Sequence, residues 1–207
     1  MSTVRDQLQQ FWDQRYGVSG YVYGTEPNGF LVEHIRHVPL GARVLCLADG
    51  EGRNGVWLAQ QGFDVTSVDV SPQGVDKARR LASQAGVNLI AEVADVTTLD
   101  LGLAHWDAIV SIFLHLPAHA RADVHWRAVQ ALKPNGVFLW EAYGPEQLGR
   151  TTGGPQNAAL LPTLDAVARD FTDCTVVHSW SGSRMVREGN LHTGEGSVTQ
   201  FIARKTT

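Results

Sequence analysis

Short apolar runs alternate with amphipathic stretches along most of the chain, and that rhythm predicts its elements. Val44 to Leu47 is brief and apolar, as a strand buried on both faces is, and Asp64 to Asp69, Asn88 to Glu92, Trp106 to Ile112 and Val137 to Glu141 read as the strands that follow. Between them, Arg53 to Gln61, Ser71 to Ala85 and Ala118 to Leu132 read as helices. Ser71 and Pro72 supply a capping hydroxyl and a first-turn proline, and Gly86 closes that helix. Upstream, Leu8, Phe11, Trp12 and Tyr16 mark an amphipathic helix. Thr25 to Asn28 opens a second helix that runs through Phe30, Leu31, His34 and Ile35 to Val38. Downstream, Gly144 to Gly154 reads as a loop and Leu160 to Asp170 as one more helix. Thr172 to Trp180 and Ser197 to Ala203 are β-rich, joined by a link from Gly189 to Gly196, which predicts an antiparallel hairpin on the sheet edge.

Strands alternating with helices imply an α/β fold, an open parallel sheet covered on both faces. A chain of 207 residues suffices for one core, so a single domain over 1–207 is expected. Within it, 1–40 would form an N-terminal helical lid and 41–207 the ligand-binding core.

The chemistry concentrates where strands end. Gly50, Gly52 and Gly55 fit G-x-G-x-x-G between a strand and a helix start, the arrangement of a nucleotide site. Glycines are also common at any such turn. Asp69 ends the second strand about 20 residues on, where a carboxylate accepts from ribose hydroxyls. The plainer alternative is an acid at a helix N-terminus. Asp95 is placed to accept from an adenine amine with Val96 against the ring, or simply to form a turn. In the loop Ser111 to Pro117, Phe113 is a candidate to pack on a cofactor. His115 there would orient a substrate or act as a base near neutral pH, while Leu114 and Leu116 read as core. Phe11, Trp12, Arg15, Tyr16, Tyr21 and Tyr23 form either a lid or ordinary core, with Arg15 able to pair with a carboxylate. Arg184, Arg187, Glu188 and His192 either reach an anionic acceptor or form a solvated hairpin.

Charge and composition narrow the partners. The net charge of −4, without a basic block, excludes binding of nucleic acid by bulk charge. Met1 to Gln7 lacks a signal-peptide core, and no apolar run approaches the roughly 20 residues that span a bilayer, so no membrane association is expected. Cys46 and Cys174 lack C-x-x-C spacing, and the histidines lack metal-ligand spacing; His115 and His119 are separated by Pro117. No metal is expected, and a cytoplasmic protein follows, a monomer or homodimer with a small-molecule substrate.

Four ordered stretches, Val44 to Ala59, Val65 to Ser71, Glu92 to Leu99 and Trp106 to Pro117, followed by Leu132-Lys133-Pro134-Asn135-Gly136, resemble class I S-adenosylmethionine-dependent methyltransferases. The resemblance runs from about Phe11 to Lys205. Gly50 to Asn54 and Glu188 to His192 are similar to the tellurite-resistance and thiol methyltransferase branch. The resemblance implies a Rossmann-like three-layer sandwich whose seven-stranded sheet is mostly parallel with an antiparallel last strand. It implies S-adenosyl-L-methionine as cofactor, held by Ala48, Gly50, Glu51, Gly52, Asn54, Asp69, Val70, Asp95, Val96, Ser111 and Phe113. His115, His192 and Arg15 are the catalytic candidates, and a thiol or chalcogen oxyanion the acceptor. Cys46 stands where most of the class has an acid, and Ala48 where it has glycine. Those departures motivate one alternative, a non-catalytic cofactor-binding module. The literal glycine fingerprint motivates another, an NAD-type oxidoreductase.

Overall fold

The computed structural model describes residues 3–206. Its strands are β1 (Arg43–Leu47), β2 (Asp64–Asp69), β3 (Ile90–Val93), β4 (Trp106–Ile112), β5 (Leu132–Tyr143), β6 (Cys174–Glu188) and β7 (His192–Lys205). They form one sheet in the order β3-β2-β1-β4-β5-β7-β6. β1 to β5 pair in parallel, whereas β7 is antiparallel to both β5 and β6. The fold is therefore the Rossmann-like α/β sandwich expected, with β7 as the reversed strand.

The helices are α1 (Val4–Tyr16), α2 (Gly29–His34), α3 (Arg53–Gln60), α4 (Pro72–Ala85), α5 (Ala118–Ala131) and α6 (Leu164–Ala168). Side chains that alternate along β1 sort onto the two faces of the sheet. Leu45 and Leu47 join Ile109, Phe138 and Trp140 under α5, while Val44 and Cys46 join Val110, Leu139 and Leu58 under α2 and α3. Each fully buried side chain of this size contributes about 1.5–3 kcal/mol, so these two layers carry the fold. Ser71 caps α4 by accepting from the Gly74 amide at 3.1 Å, as its sequence predicts. Asn28, the last residue of the Thr25–Asn28 start signal, caps α2 by accepting from Leu31 at 3.0 Å. Among the described residues no helix is long and apolar enough to cross a membrane.

Three elements differ from expectation. The glycine link from 189 to 196 shrinks to residues 189–191, because the strands continue through the glycines: Gly194 pairs with Val186 and Gly196 with Arg184. Those glycines give clearance rather than end the strand. A Cβ on Gly194 would lie 2.6 Å from Thr152, and one on Gly196 would lie 3.0 Å from the Tyr143 ring. The helix expected over 160–170 is reduced to α6 between 3-10 turns at Ala158–Leu160 and Arg169–Phe171. Pro162 bars an earlier start and Thr163 caps instead, accepting from Ala166 at 3.1 Å. The second helix also tightens early, to 3-10 geometry over Ile35–His37.

α3 lies against α4 through Gly52. At φ +89 this residue is left-handed, and a Cβ there would sit 2.5 Å from Ala78 Cβ. Gly52→Ala should therefore lower stability by about 2–4 kcal/mol, combining overpacking with left-handed strain. Urea denaturation measures this; a loss under ~1 kcal/mol would show that the helices part without resistance.

Candidate functional site

The turn after β1 is built from left-handed residues: Ala48 at φ +52, Gly50 at +59 and Gly52 at +89. It points the Gly50 amide at the end of β2, where it donates to Asp69 Oδ2 at 2.8 Å. The Ser71 amide donates to Asp69 Oδ1 at 2.9 Å. The two carboxylate oxygens, with about four lone-pair sites between them, keep capacity beyond these backbone donors. Behind the turn, Asp49 Oδ2 accepts from the Gly55 amide at 3.1 Å and from Ser67 Oγ at 3.0 Å. Gly55 is small for this reason: a Cβ there would lie 2.6 Å from Asp49 Oδ2. All three fingerprint glycines thus serve packing, Gly50 against the Tyr16 hydroxyl, Gly52 against Ala78 and Gly55 against Asp49. Ala48 holds a conformation that costs an L-residue about 1–2 kcal/mol.

Above the tips of β1, β2 and β4 lies a cavity of about 400 Å³. It brings together Arg15, Ala48, Gly50, Glu51, Asn54, Asp69, Val70, Asp95, Val96, Phe113, His115 and His192. Two expected contacts stay outside its wall. Gly52 faces Ala78, and Ser111 is buried with its hydroxyl unpaired. A groove of about 460 Å³ runs along α1 between Asp6 and Gln73, away from the strand tips. It is shallow and has no aromatic residue in its wall, so the first, enclosed cavity is the candidate site.

Several side chains in this wall have partners that sequence spacing does not reveal. Glu51 Oε2 accepts from the Val22 amide at 2.7 Å and the Tyr23 amide at 3.3 Å, and Oε1 from Lys77 Nζ at 2.8 Å. Asn54 Oδ1 accepts from the Asn28 amide at 2.9 Å. Both fasten the N-terminal segment to the glycine turn. Asp95 Oδ1 accepts from Thr97 N at 2.9 Å and Thr97 Oγ1 at 2.7 Å, so the turn role weighed for it is present. Arg15 donates to Tyr23 Oη at 3.0 Å and lies over the Phe11 ring.

The far wall is aromatic. Phe113, at φ +55, packs on Tyr143 at 4.6 Å and on His192 at 4.7 Å between centroids. His192 also meets Tyr23 at 4.5 Å, and His115 stacks on Tyr143 at 5.9 Å. Burial pushes His115 down to about 4 and His192 to about 3, the latter helped by Arg53. Burial thus keeps the His115 ring neutral at pH 7, the form in which it can orient a substrate or accept a proton.

Arg184 and Glu188 belong to a buried ionic network behind the cavity, whose other members, Arg53, Glu141, Asn28 and Gln200, sequence reasoning missed as site residues. Arg53 pairs with Glu188, and Arg184 bridges Glu188 at 2.9 Å and Glu141 at 2.5 Å. Asn28 Nδ2 donates to Glu141 at 2.7 Å and Glu188 at 3.0 Å, and Gln200 Nε2 to Glu141 at 2.6 Å. Neither a free anion-binding loop nor a solvated hairpin describes Arg184 and Glu188. One signal was present: Glu141 closes an apolar run and is 0% exposed, and a buried carboxylate requires a partner.

Burial also lifts two carboxylates, Asp49 and Asp69, each to about 6. A folded value above the unfolded one, about 4, means the native chain holds these protons more tightly. The resulting stabilisation is full below about pH 4 and is lost as pH rises through about 6. Asp49→Asn, which keeps an oxygen for Gly55 and Ser67, should gain about 1–2 kcal/mol over wild type between about pH 5 and pH 8. Urea midpoints at both pH values test this, and a pH-independent difference would remove the buried-charge account.

Residues 44–136 match the family model described as a methyltransferase domain. A tRNA (uracil(54)-C(5))-methyltransferase of Pyrococcus abyssi is 26% identical over 159 residues, covering 69% of this chain and 37% of that one. The chain spans 37–39% of the length of the curated relatives it matches. A solved structure from work on converting a disulfide bond into a thioacetal group during echinomycin biosynthesis superposes with a TM-score of 0.78. It is 17% identical, over 96% of this chain and 92% of that one. TehB of Haemophilus influenzae superposes with a TM-score of 0.72 at 16% identity, over 96% of this chain and 67% of that one. At these identities the structural likeness is one of fold.

Proposed function

We propose that this chain, whose residues 44–136 match the model described as a methyltransferase domain, transfers the methyl group of S-adenosyl-L-methionine to a small acceptor. The observation that supports this most is Asp69, fixed by the Gly50 and Ser71 amides with lone pairs left over in the cavity wall. That is the acceptor a ribose diol requires. Asp95 and Val96 offer an edge and a face for the adenine, and the Ala48–Gly50 turn approaches the methionine end closely. When bound, the sulfonium supplies an already activated methyl group, so the chain's task is alignment and exclusion of water.

The cavity, about 400 Å³, falls at the small end of the ~300–1,000 Å³ seen for drug-sized ligands. The acceptor we propose is a thiol or a chalcogen oxyanion, the chemistry of the branch that the sequence resembles. A net charge of −4 supports a small molecule over a nucleic acid. Residues 1–40 act as a helical lid over the core 41–207: Phe11, Trp12, Arg15 and Tyr16 of α1 all line the cavity. The same reading has the protein in the cytoplasm, as a monomer or homodimer.

A second reading rests on Ala48, whose left-handed strain sits where a close cofactor approach would favour glycine. It makes the chain a non-catalytic binding module. Methyl release measured across thiols, selenite, tellurite and small amines separates the two, since turnover on any of them ends the second.

Calorimetry with S-adenosylhomocysteine should show one site, weakened about tenfold or more by Asp69→Ala, the loss of a charge-assisted hydrogen bond. Wild-type affinity should fall as pH drops below about 6, where the Asp69 carboxylate takes up its proton, and the variant should lose that dependence. Wild type that binds nothing removes the proposal.

A further inference from the structure

His115 Nδ1 lies 3.1 Å from the Leu160 carbonyl oxygen. A carbonyl only accepts, so Nδ1 carries the proton. Burial keeps the ring neutral, its value near 4, so the other nitrogen, Nε2, holds a bare lone pair. That Nε2 is buried without a partner, in a residue that lines the cavity. The Tyr143 ring stacks on the imidazole with 10° between planes and fixes its orientation. His192 Nδ1, across the same aromatic pocket, is also buried and unpartnered. Orphaned buried acceptors are costly, and a ligand that brings a donor relieves the cost.

We infer that His115 Nε2 receives the hydrogen of the methyl acceptor, so that the site takes a small protic nucleophile, an uncharged thiol or ring hydroxyl, rather than a bare chalcogen anion. This rests on the methyl-transfer reading above and selects between its two acceptor chemistries. A fully deprotonated anion would bring lone pairs against a lone pair. Two of the nearby cations are held by carboxylates, Arg53 by Glu188 and Arg184 by Glu141 and Glu188, while Arg15 donates to Tyr23 and lies over the Phe11 ring.

In the reaction, the acceptor atom's lone pair forms the bond to the methyl carbon, and the carbon–sulfur bond breaks with its electron pair going to sulfur. The acceptor's own hydrogen becomes strongly acidic as that bond forms. It leaves as a proton to Nε2 and then to solvent. A base as weak as this imidazole suffices because the transfer is late.

The test uses the full chain with ¹⁵N-labelled histidine, saturated with S-adenosylhomocysteine and titrated with 2-mercaptoethanol, phenol, and selenite and tellurite as their fully deprotonated dianions. The Nε2 resonance of His115 should start at the unprotonated position and move upfield with 2-mercaptoethanol or phenol, but not with the dianions. With the methyl donor, His115→Phe should keep cofactor-product affinity within about twofold and lose about 10²–10⁴-fold in kcat/KM on the protic probes. His115→Gln, whose amide oxygen accepts a hydrogen bond but takes no proton, should lose kcat with KM nearly kept. A protonated Nε2 in the starting complex, a resonance unmoved by both protic probes, or wild-type turnover by His115→Phe overturns the inference. Wild type that fails to bind S-adenosylhomocysteine counts instead against the methyl-transfer reading and takes this inference with it.

Discussion

The hydrogen bond from the Gly50 amide to Asp69 ties two strand tips together, and the site is built outward from it. It exists because three successive alternate residues after β1 adopt left-handed backbone, turning the amide away from the strand and toward β2. The carboxylate it holds is 5% exposed and carries a raised pKa, so the chain keeps a buried acid that its core does not need. A group held at that cost, at the carboxyl edge of an open α/β sheet, is where a ligand binds in this architecture.

Around that bond, distant segments are fastened to the same turn. Glu51 draws in the loop at Val22 and Tyr23, and Asn190 donates to the Val22 carbonyl from the hairpin side. Asn54 holds Asn28, and Asn28 in turn reaches Glu141 and Glu188. The hairpin, the N-terminal segment and the glycine turn therefore meet in one polar network with two arginines and two glutamates. Such buried pairs contribute little net stability against desolvation, yet losing one partner costs about 3–5 kcal/mol. Their consequence is geometric: they place the hairpin so that His192 closes the aromatic wall.

Most of the sheet was legible in the sequence. β1 and β4 are short and largely apolar, β2 is short with β-branched residues at Val65, Thr66 and Val68, and all three are bounded by glycine, proline or capping residues. The positions of Asp69, Asp95, Phe113 and His115 followed, because strand ends place them. The glycines of β7 were read as breakers, whereas their lack of a side chain makes room for Thr152 and Tyr143, neighbours that only tertiary packing supplies. Glu51 and Asn54 were placed in the right wall, but the partners of their side chains lie 26 to 29 residues away. The Arg184 and Glu141 pairing joins residues 43 apart, and no local pattern encodes it.

The central claim is that the cavity above β1, β2 and β4 holds an adenosyl ligand by its sugar. A crystal structure of the chain grown with S-adenosylhomocysteine tests that claim most directly. The account predicts both ribose hydroxyls on the Asp69 carboxylate and the sulfur turned toward the aromatic wall of Phe113 and His192. Density for the ligand elsewhere, or a ribose with no contact to Asp69, would contradict it.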